Sequence, residues 1–233
     1  MSFKNIVASA VAASAIASAQ ASPIELITNG NFESGSLTGW TSSSTNGQSF
    51  NVLANGANVP YSGHPVQALT GGGNYVAVSD QTGGSGQALT QTFVVGAGVQ
   101  SLNLQFDWFN NTHATYNGTQ INGTQQVGRV DILTSTASPW DVSSGVVQNL
   151  LLNAGTFTSF GTTIPWQHAS FNLSGLAAGT YQLRFANGQN SYFQEFGVDN
   201  VRLSAEVPEP SSIALLGLAL LGAGFMRRKS AKK

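Results

Sequence analysis

The residues in this chain whose types could do chemistry are its four tryptophans and one long polar stretch. Flat indole faces stack on the apolar faces of sugar rings, so Trp40, Trp108, Trp140 and Trp166 are candidate glycan platforms. Trp108 shares the apolar face of an alternating segment and Trp40 follows Gly39, so both read as core. Trp140 follows Pro139 and Trp166 follows Pro165 in loop-like stretches, which makes these two the better surface candidates. The stretch 110–126 combines amides, hydroxyls, His113 and Tyr116, the kit for hydrogen-bonding a neutral glycan. Each feature has a plainer reading beside it: aromatics fill the space between packed sheets, and a polar stretch can be a solvated hairpin.

Patterns for catalysis are thin. His64, His113 and His168 stand apart, with no His-Glu-x-x-His spacing. No Gly-x-Ser-x-Gly elbow occurs to present a serine nucleophile. Glycoside hydrolysis needs two carboxylates about 5–9.5 Å apart across a cleft. Asp107, Asp131 and Glu195 are the acids that would have to meet for that. The sequence therefore favours a non-catalytic role.

Charge narrows the partners. Only 8% of the chain is charged, against about 25% in ordinary soluble proteins. Between residues 22 and 206 the basic residues are Arg129, Arg184 and Arg202 alone, against nine acids, so that stretch is net negative. A phosphate-binding surface needs clustered Lys and Arg, which excludes nucleic acid as a partner. There is no Cys, so core packing or bound ions must hold the fold together.

The elements that must position these residues are strands. Period-two alternation runs through Leu102, Leu104, Phe106 and Trp108, through Ala169, Phe171 and Leu173, and through Tyr181, Leu183 and Phe185. Further strands are predicted at 50–53, 75–78, 89–95, 128–133 and 197–203. Turns are predicted at Gly71-Gly72-Gly73, at Gly83-Gly84-Ser85-Gly86 and at the Asn-Gly pairs 117–118 and 122–123. Nine or ten short strands with Gly-rich turns give an all-β sandwich over residues 22–206, with 1–21 and 207–233 as separate segments.

Those end segments look like addresses. Lys4, an apolar run from Ile6 to Ile16 and Ala19-Gln20-Ala21 form a secretory signal, with cleavage expected after Ala21. At the other end Pro208-Glu209-Pro210 precedes an uncharged run from Ile213 to Met226 and the basic cluster Arg227-Arg228-Lys229. Fourteen helical residues would span about 21 Å, short of the ~30 Å hydrocarbon core, a gap that snorkelling arginines partly cover. The basic end should stay cytoplasmic. Pro-Glu-Pro, short apolar helix and basic tail together resemble the PEP-CTERM sorting signal of Gram-negative exported proteins. The resemblance implies that an exosortase recognises Pro208, Glu209 and Pro210 and removes the helix. The chain would touch the inner membrane only transiently before reaching the cell surface or matrix; a retained membrane anchor is the alternative.

The body carries a second resemblance. It opens Asn29-Gly30-Asn31-Phe32-Glu33, continues to Gly39-Trp40, and closes Val198-Asp199-Asn200-Val201-Arg202-Leu203. This pairing resembles the galactose-binding-like jelly rolls, including several carbohydrate-binding module families. In a jelly roll the first and last strands lie close, so Glu33 and Asp199 can converge, and two such carboxylates repel unless neutralised. In the similar modules the matching Glu and Asp bind a structural calcium. That implies Glu33 and Asp199 as calcium ligands, with Asn31 as a further candidate and backbone carbonyls filling the set. The plainer reading makes Glu33 a turn cap and Asp199 a backbone partner. The expected function is non-catalytic contact with extracellular polysaccharide, the alternative a self-assembling or protein-binding surface component, and a polysaccharide hydrolase comes third.

Overall fold

A computed structural model describes residues 22–207 apart from 114–117, 154, 156–158 and 160. The signal residues Ala19 and Ala21, the motif Pro208-Glu209-Pro210 and Tyr116 lie outside the described residues. The described chain is all strand and turn. Its elements are β1 (Ile24–Glu25), β2 (Thr41–Ser44), β3 (Asn51–Ala54), β4 (Tyr75–Thr82), β5 (Ser85–Val95), β6 (Ser101–Thr112), β7 (Val127–Thr134), β8 (Val146–Asn153), β9 (Gln167–Leu173), β10 (Gly179–Gln189) and β11 (Phe193–Glu206). One sheet runs β3-β4-β11-β6-β9 with β1 added on β11; the other runs β2-β5-β10-β7-β8. Every pairing between strands is antiparallel. From β4 onward the chain mostly crosses between sheets, so sequence neighbours face each other across the core, as in a jelly roll.

The alternation read from the sequence decides the register. Leu102, Leu104, Phe106 and Trp108 all point into the inter-sheet core with Leu183 and Phe185 from the opposite sheet. Phe106 meets Phe185 edge-on at 5.0 Å, and Trp40 lies against Phe32 and Phe185. A one-residue slip would turn this whole set to solvent. Phe106→Ala should therefore cost about 3–5 kcal/mol.

Two sequence expectations need correction. The strands number eleven rather than nine or ten, because β1, β2 and β8 carry no clean alternation. The predicted turn 83–86 is shorter than expected: Ser85 and Gly86 already belong to β5. Gly86 is there because Ile121 O lies 1.8 Å from where a Cβ would stand. It is a close approach of backbones, not a bend.

Toward one end the interior changes character. Ser79, Gln87, Asn110, Asn187, Gln189 and Gln194 are all buried. Gln194 donates to Asn110 Oδ1 at 2.8 Å and Ser79 to Asn187 Oδ1 at 3.2 Å, so this half of the sandwich is joined by amides.

Candidate functional site

Three loops converge at one end of β11. The strand bulges between Asp199 and Arg202, with Asn200 at φ 51°. The bulge locks to the opening loop through Val201 N–H donating to Gly30 O at 2.9 Å. The third loop is 71–74. A Cβ on Gly72 would lie 2.8 Å from Asp199 Oδ2, and one on Gly73 only 2.4 Å from Glu33 Oε1. Consecutive glycines thus touch the two carboxylates that the sequence singled out, and Glu33 and Asp199 come together.

Their surroundings differ. Glu33 is half-buried and accepts from the backbone N–H groups of Asn74 (2.8 Å) and Tyr75 (3.0 Å) and from Asn74 Nδ2 (3.0 Å). The Tyr75 N–H leads in holding its carboxyl below the usual range, with the Asn74 donors adding to it against a modest burial effect. Asp199 is wholly shielded, and neither of its oxygens has a well-formed hydrogen bond. Burial, reinforced by Asp107 and Glu33, pushes it up to about 8, with the Asn200 N–H offsetting only part. Asp107 lies directly across the ladder from Asp199. It accepts from Asn200 Nδ2 at 2.8 Å and meets His168 Nδ1 at 2.8 Å. A buried carboxylate beside two others is the donor set a hard cation takes. Asn31 is exposed and its Oδ1 holds the Glu33 N–H at 3.4 Å, so in this geometry it serves the turn.

The tryptophans are placed differently from one another. Trp40 and Trp108 are core. Trp166 is half-buried, edge-on to Phe109 at 4.8 Å, and donates to Gln67 O at 2.7 Å. Trp140 is half-buried against Ala88, Ile121, Val127 and Ala186. Phe109 belongs to β6 and Ala186 to β10, both on faces turned away from the core, so the two indoles lie on opposite outer faces. They cannot form one platform.

Sequence reasoning missed the exposed aromatics. Tyr61 is 50% exposed and Tyr192 67% exposed. Tyr61 lies 5.8 Å from Phe193, the residue next to Tyr192, at the start of β11. The described part of the polar stretch docks here: Asn190 N–H donates to Gln126 Oε1 at 3.1 Å and Asn190 Nδ2 to Thr124 O at 3.3 Å. The stretch is no free hairpin, since Ile121 is fully buried, yet Asn122 and Thr124 stay exposed. Pro60-Tyr61 and the left-handed Tyr192 (φ 57°) were the only signals, and both look like ordinary turn residues.

The acids that hydrolysis would need do not meet. Asp131 sits on the outer face of the five-stranded sheet, paired with Arg129 at 2.8 Å and with Arg184. Asp107 and Glu195 share the other outer face but pair with positions four residues apart on adjoining strands, about 13 Å.

Comparison with known proteins adds one assignment of sequence and several likenesses of shape. A PEP-CTERM protein-sorting motif matches residues 206–229, starting at the last residue of β11. The motif marks the protein for export and for the cell surface. No curated protein matches the chain. Among solved structures, a cleaved adhesin domain of Lys-gingipain from Porphyromonas gingivalis is 15% identical, covering 78% of this chain and 99% of that one, with a TM-score of 0.48. TmCBM61, solved with β-1,4-galactotriose, is 12% identical over 77% of this chain and 97% of its own, at 0.46. The enzymatically active domain of a bacteriophage tailspike protein is 14% identical over 78% of this chain, at 0.43, and this chain spans 21% of it.

Proposed function

We propose that this protein is an exported surface module whose β-sandwich contacts a neutral extracellular polysaccharide without catalysis, and whose opening loop is stapled to β11 by calcium. The observation that carries the reading is the placement of the sorting motif directly at the end of β11, which makes the sandwich the part presented outside. In this reading an exosortase of a Gram-negative host cleaves after Pro208-Glu209-Pro210 is recognised, and the inner membrane is a transient station. Glycan contact is assigned to the end that carries Tyr61 and Tyr192, with Asn122 and Thr124 supplying amide and hydroxyl groups. Trp140 and Trp166 remain secondary candidates, each as an edge rather than a face. The scarcity of charge suits an uncharged polymer better than a charged one.

Calcium fits the residues present at the β11 bulge. Asp199 and Glu33 would bind it, with Asp107 adding charge, and the ion would neutralise a carboxylate that is otherwise buried without a counter-charge. That would replace the staple a disulfide supplies in other exported domains.

The test is retardation of the exported protein in gels containing polysaccharide from the producing cell, with calcium present. Retardation lost in Tyr61→Ala and Tyr192→Ala is the expected result. Equal retardation of those variants and loss in Trp140→Ala or Trp166→Ala would move the face. A folded protein that no polysaccharide retards would sink the glycan reading in favour of a surface component that binds proteins or itself.

A further inference from the structure

Away from the β11 bulge, on the outer face of the six-stranded sheet, a second group of ionisable side chains is buried under the loop 59–64. Asp80, Glu195 and Asn111 lie side by side on β4, β11 and β6, in matching register. The loop is clamped onto them. Asp80 Oδ2 accepts the N–H groups of Tyr61 and Ser62, each at 2.7 Å, and Ser62 Oγ donates to Glu195 Oε1 at 2.9 Å. This brings in His64, which is fully buried, and it meets His113 from the end of β6, whose side chain is 5% exposed.

The ligating atoms converge. His64 Nδ1 and His113 Nε2 are 3.4 Å apart, His113 Nε2 and Glu195 Oε1 are 3.4 Å apart, and His64 Nδ1 and Glu195 Oε1 are 3.8 Å apart. A tetrahedral ion with bonds of about 2.0–2.1 Å separates its ligands by about 3.3 Å, close to that spacing. The tautomer is also right. His64 Nε2 lies 2.8 Å from Thr162 O, and a carbonyl only accepts, so Nε2 carries the proton and Nδ1 directs its lone pair into the cluster. A backbone carbonyl on the far nitrogen is how metal-binding histidines are oriented.

Charge points the same way. Two carboxylates are buried here, Glu195 wholly and Asp80 at 2% exposure, and Asp80 Oδ1 has no hydrogen-bond partner among the described residues. The arginines cannot answer them. Arg129 and Arg184 are committed to Asp131, and Arg202 is exposed on a distant part of β11. One dication balances two carboxylates beside two neutral imidazoles. Asn111 stands at the fourth side, with Nδ2 3.3 Å from His64 Nδ1, 3.1 Å from His113 Nε2 and 2.8 Å from Glu195 Oε2. Turning its amide over presents Oδ1 instead.

We infer that His64, His113 and Glu195 form a structural site for a zinc-class divalent ion, with Asn111 at the fourth position and Asp80 supplying the second negative charge. Histidine nitrogens select such an ion over calcium, which keeps to oxygen. The ion would pin the loop 59–64, and Tyr61 with it, to β6 and β11. This inference stands whether or not the protein binds a glycan.

The experiment uses the untagged full-length chain in detergent, stripped with chelator and titrated with zinc alone, then with cobalt. The expected result is one equivalent of zinc retained through dialysis and a tetrahedral cobalt spectrum in the visible. His64→Ala and His113→Ala should each weaken binding by more than ~100-fold, beyond what losing an outer partner costs. Asp199→Asn and His168→Ala should leave it unchanged. Because His64 is buried, circular dichroism checks each variant for folding; if His64→Ala does not fold, the nearer-surface His113→Asn decides instead. A folded wild-type chain that retains no zinc overturns the inference. So does a His113 variant that binds as tightly as the parent, which would leave the cluster as a hydrogen-bonded network centred on Asn111.

Discussion

Asp131 and Asp199 are the same residue at the same depth, both fully shielded from solvent, and the chain treats them in opposite ways. Asp131 is surrounded by donors. Arg129 reaches both of its oxygens at 2.9 and 2.8 Å, Asn149 adds a bond at 2.7 Å, and Arg184 closes the set while bonding Pro139 O and Asp141 O. Burial alone would raise this carboxyl, but the two guanidinium groups override it and hold it below the usual range. Asp199 has two acidic neighbours and no base, and rises to about 8. The contrast separates a carboxylate that holds the fold together from one set up for a ligand. In a body with three arginines, two are spent at Asp131.

The strongest way to break this comparison is Arg184→Ala. It leaves Asp131 buried and half-paired and frees the loop 139–141, so we expect a loss of about 3–5 kcal/mol in urea unfolding. A loss below about 1 kcal/mol would mean the cluster is decorative. Next comes calcium. At 100 times its dissociation constant a ligand adds about 2.7 kcal/mol, which for a domain of this size raises the melting temperature by about 5–10 °C. Asp199→Asn should abolish that response and, in chelator, melt above the wild type, whereas Asp131→Asn should melt below it. If both substitutions shift stability in the same direction, the two aspartates are not opposites.

A smaller effect is expected from pH. The carboxyl of Asp131 is depressed in the folded state, so its contribution is complete above the unfolded value near 3.9 and is lost as pH falls through the folded one. The stability gap between wild type and Asp131→Asn should therefore be flat from pH 7 to 5 and shrink below 4 in denaturant titrations. The smallest effect belongs to Glu33→Gln. In chelator it should cost under about 1 kcal/mol, because Glu33 is partly solvated, while weakening the calcium response that Asp199→Asn removes.

Strand positions and the core face were legible where one face is buried and the other wet, as in β6 and β10. β8 was not, because it is an edge strand whose pairing with β7 slips twice and whose apolar residues fall on both faces. β2, Thr-Ser-Ser-Ser, has no apolar residue to betray it. At the bulge, Glu33 and Asp199 emerged through resemblance, but Gly72 and Gly73 read only as a turn; their contact with both carboxylates is tertiary. His64, His113 and Glu195 looked isolated because the order β4-β11-β6 joins segments far apart in sequence. Local pattern carries no trace of such pairing.

The last strand has a mechanical consequence. β11 is the longest strand, 14 residues, and lies inside its sheet between β4 and β6. Tyr61 and Tyr192 flank its first residues, and the sorting motif begins at its last. A pull between a captured polymer and the cell would run along roughly 45 Å of this one strand. Such a load shears the whole ladder at once instead of unzipping it bond by bond. The domain is thus built as a tension member, strongest along the axis from the aromatic end to the anchor.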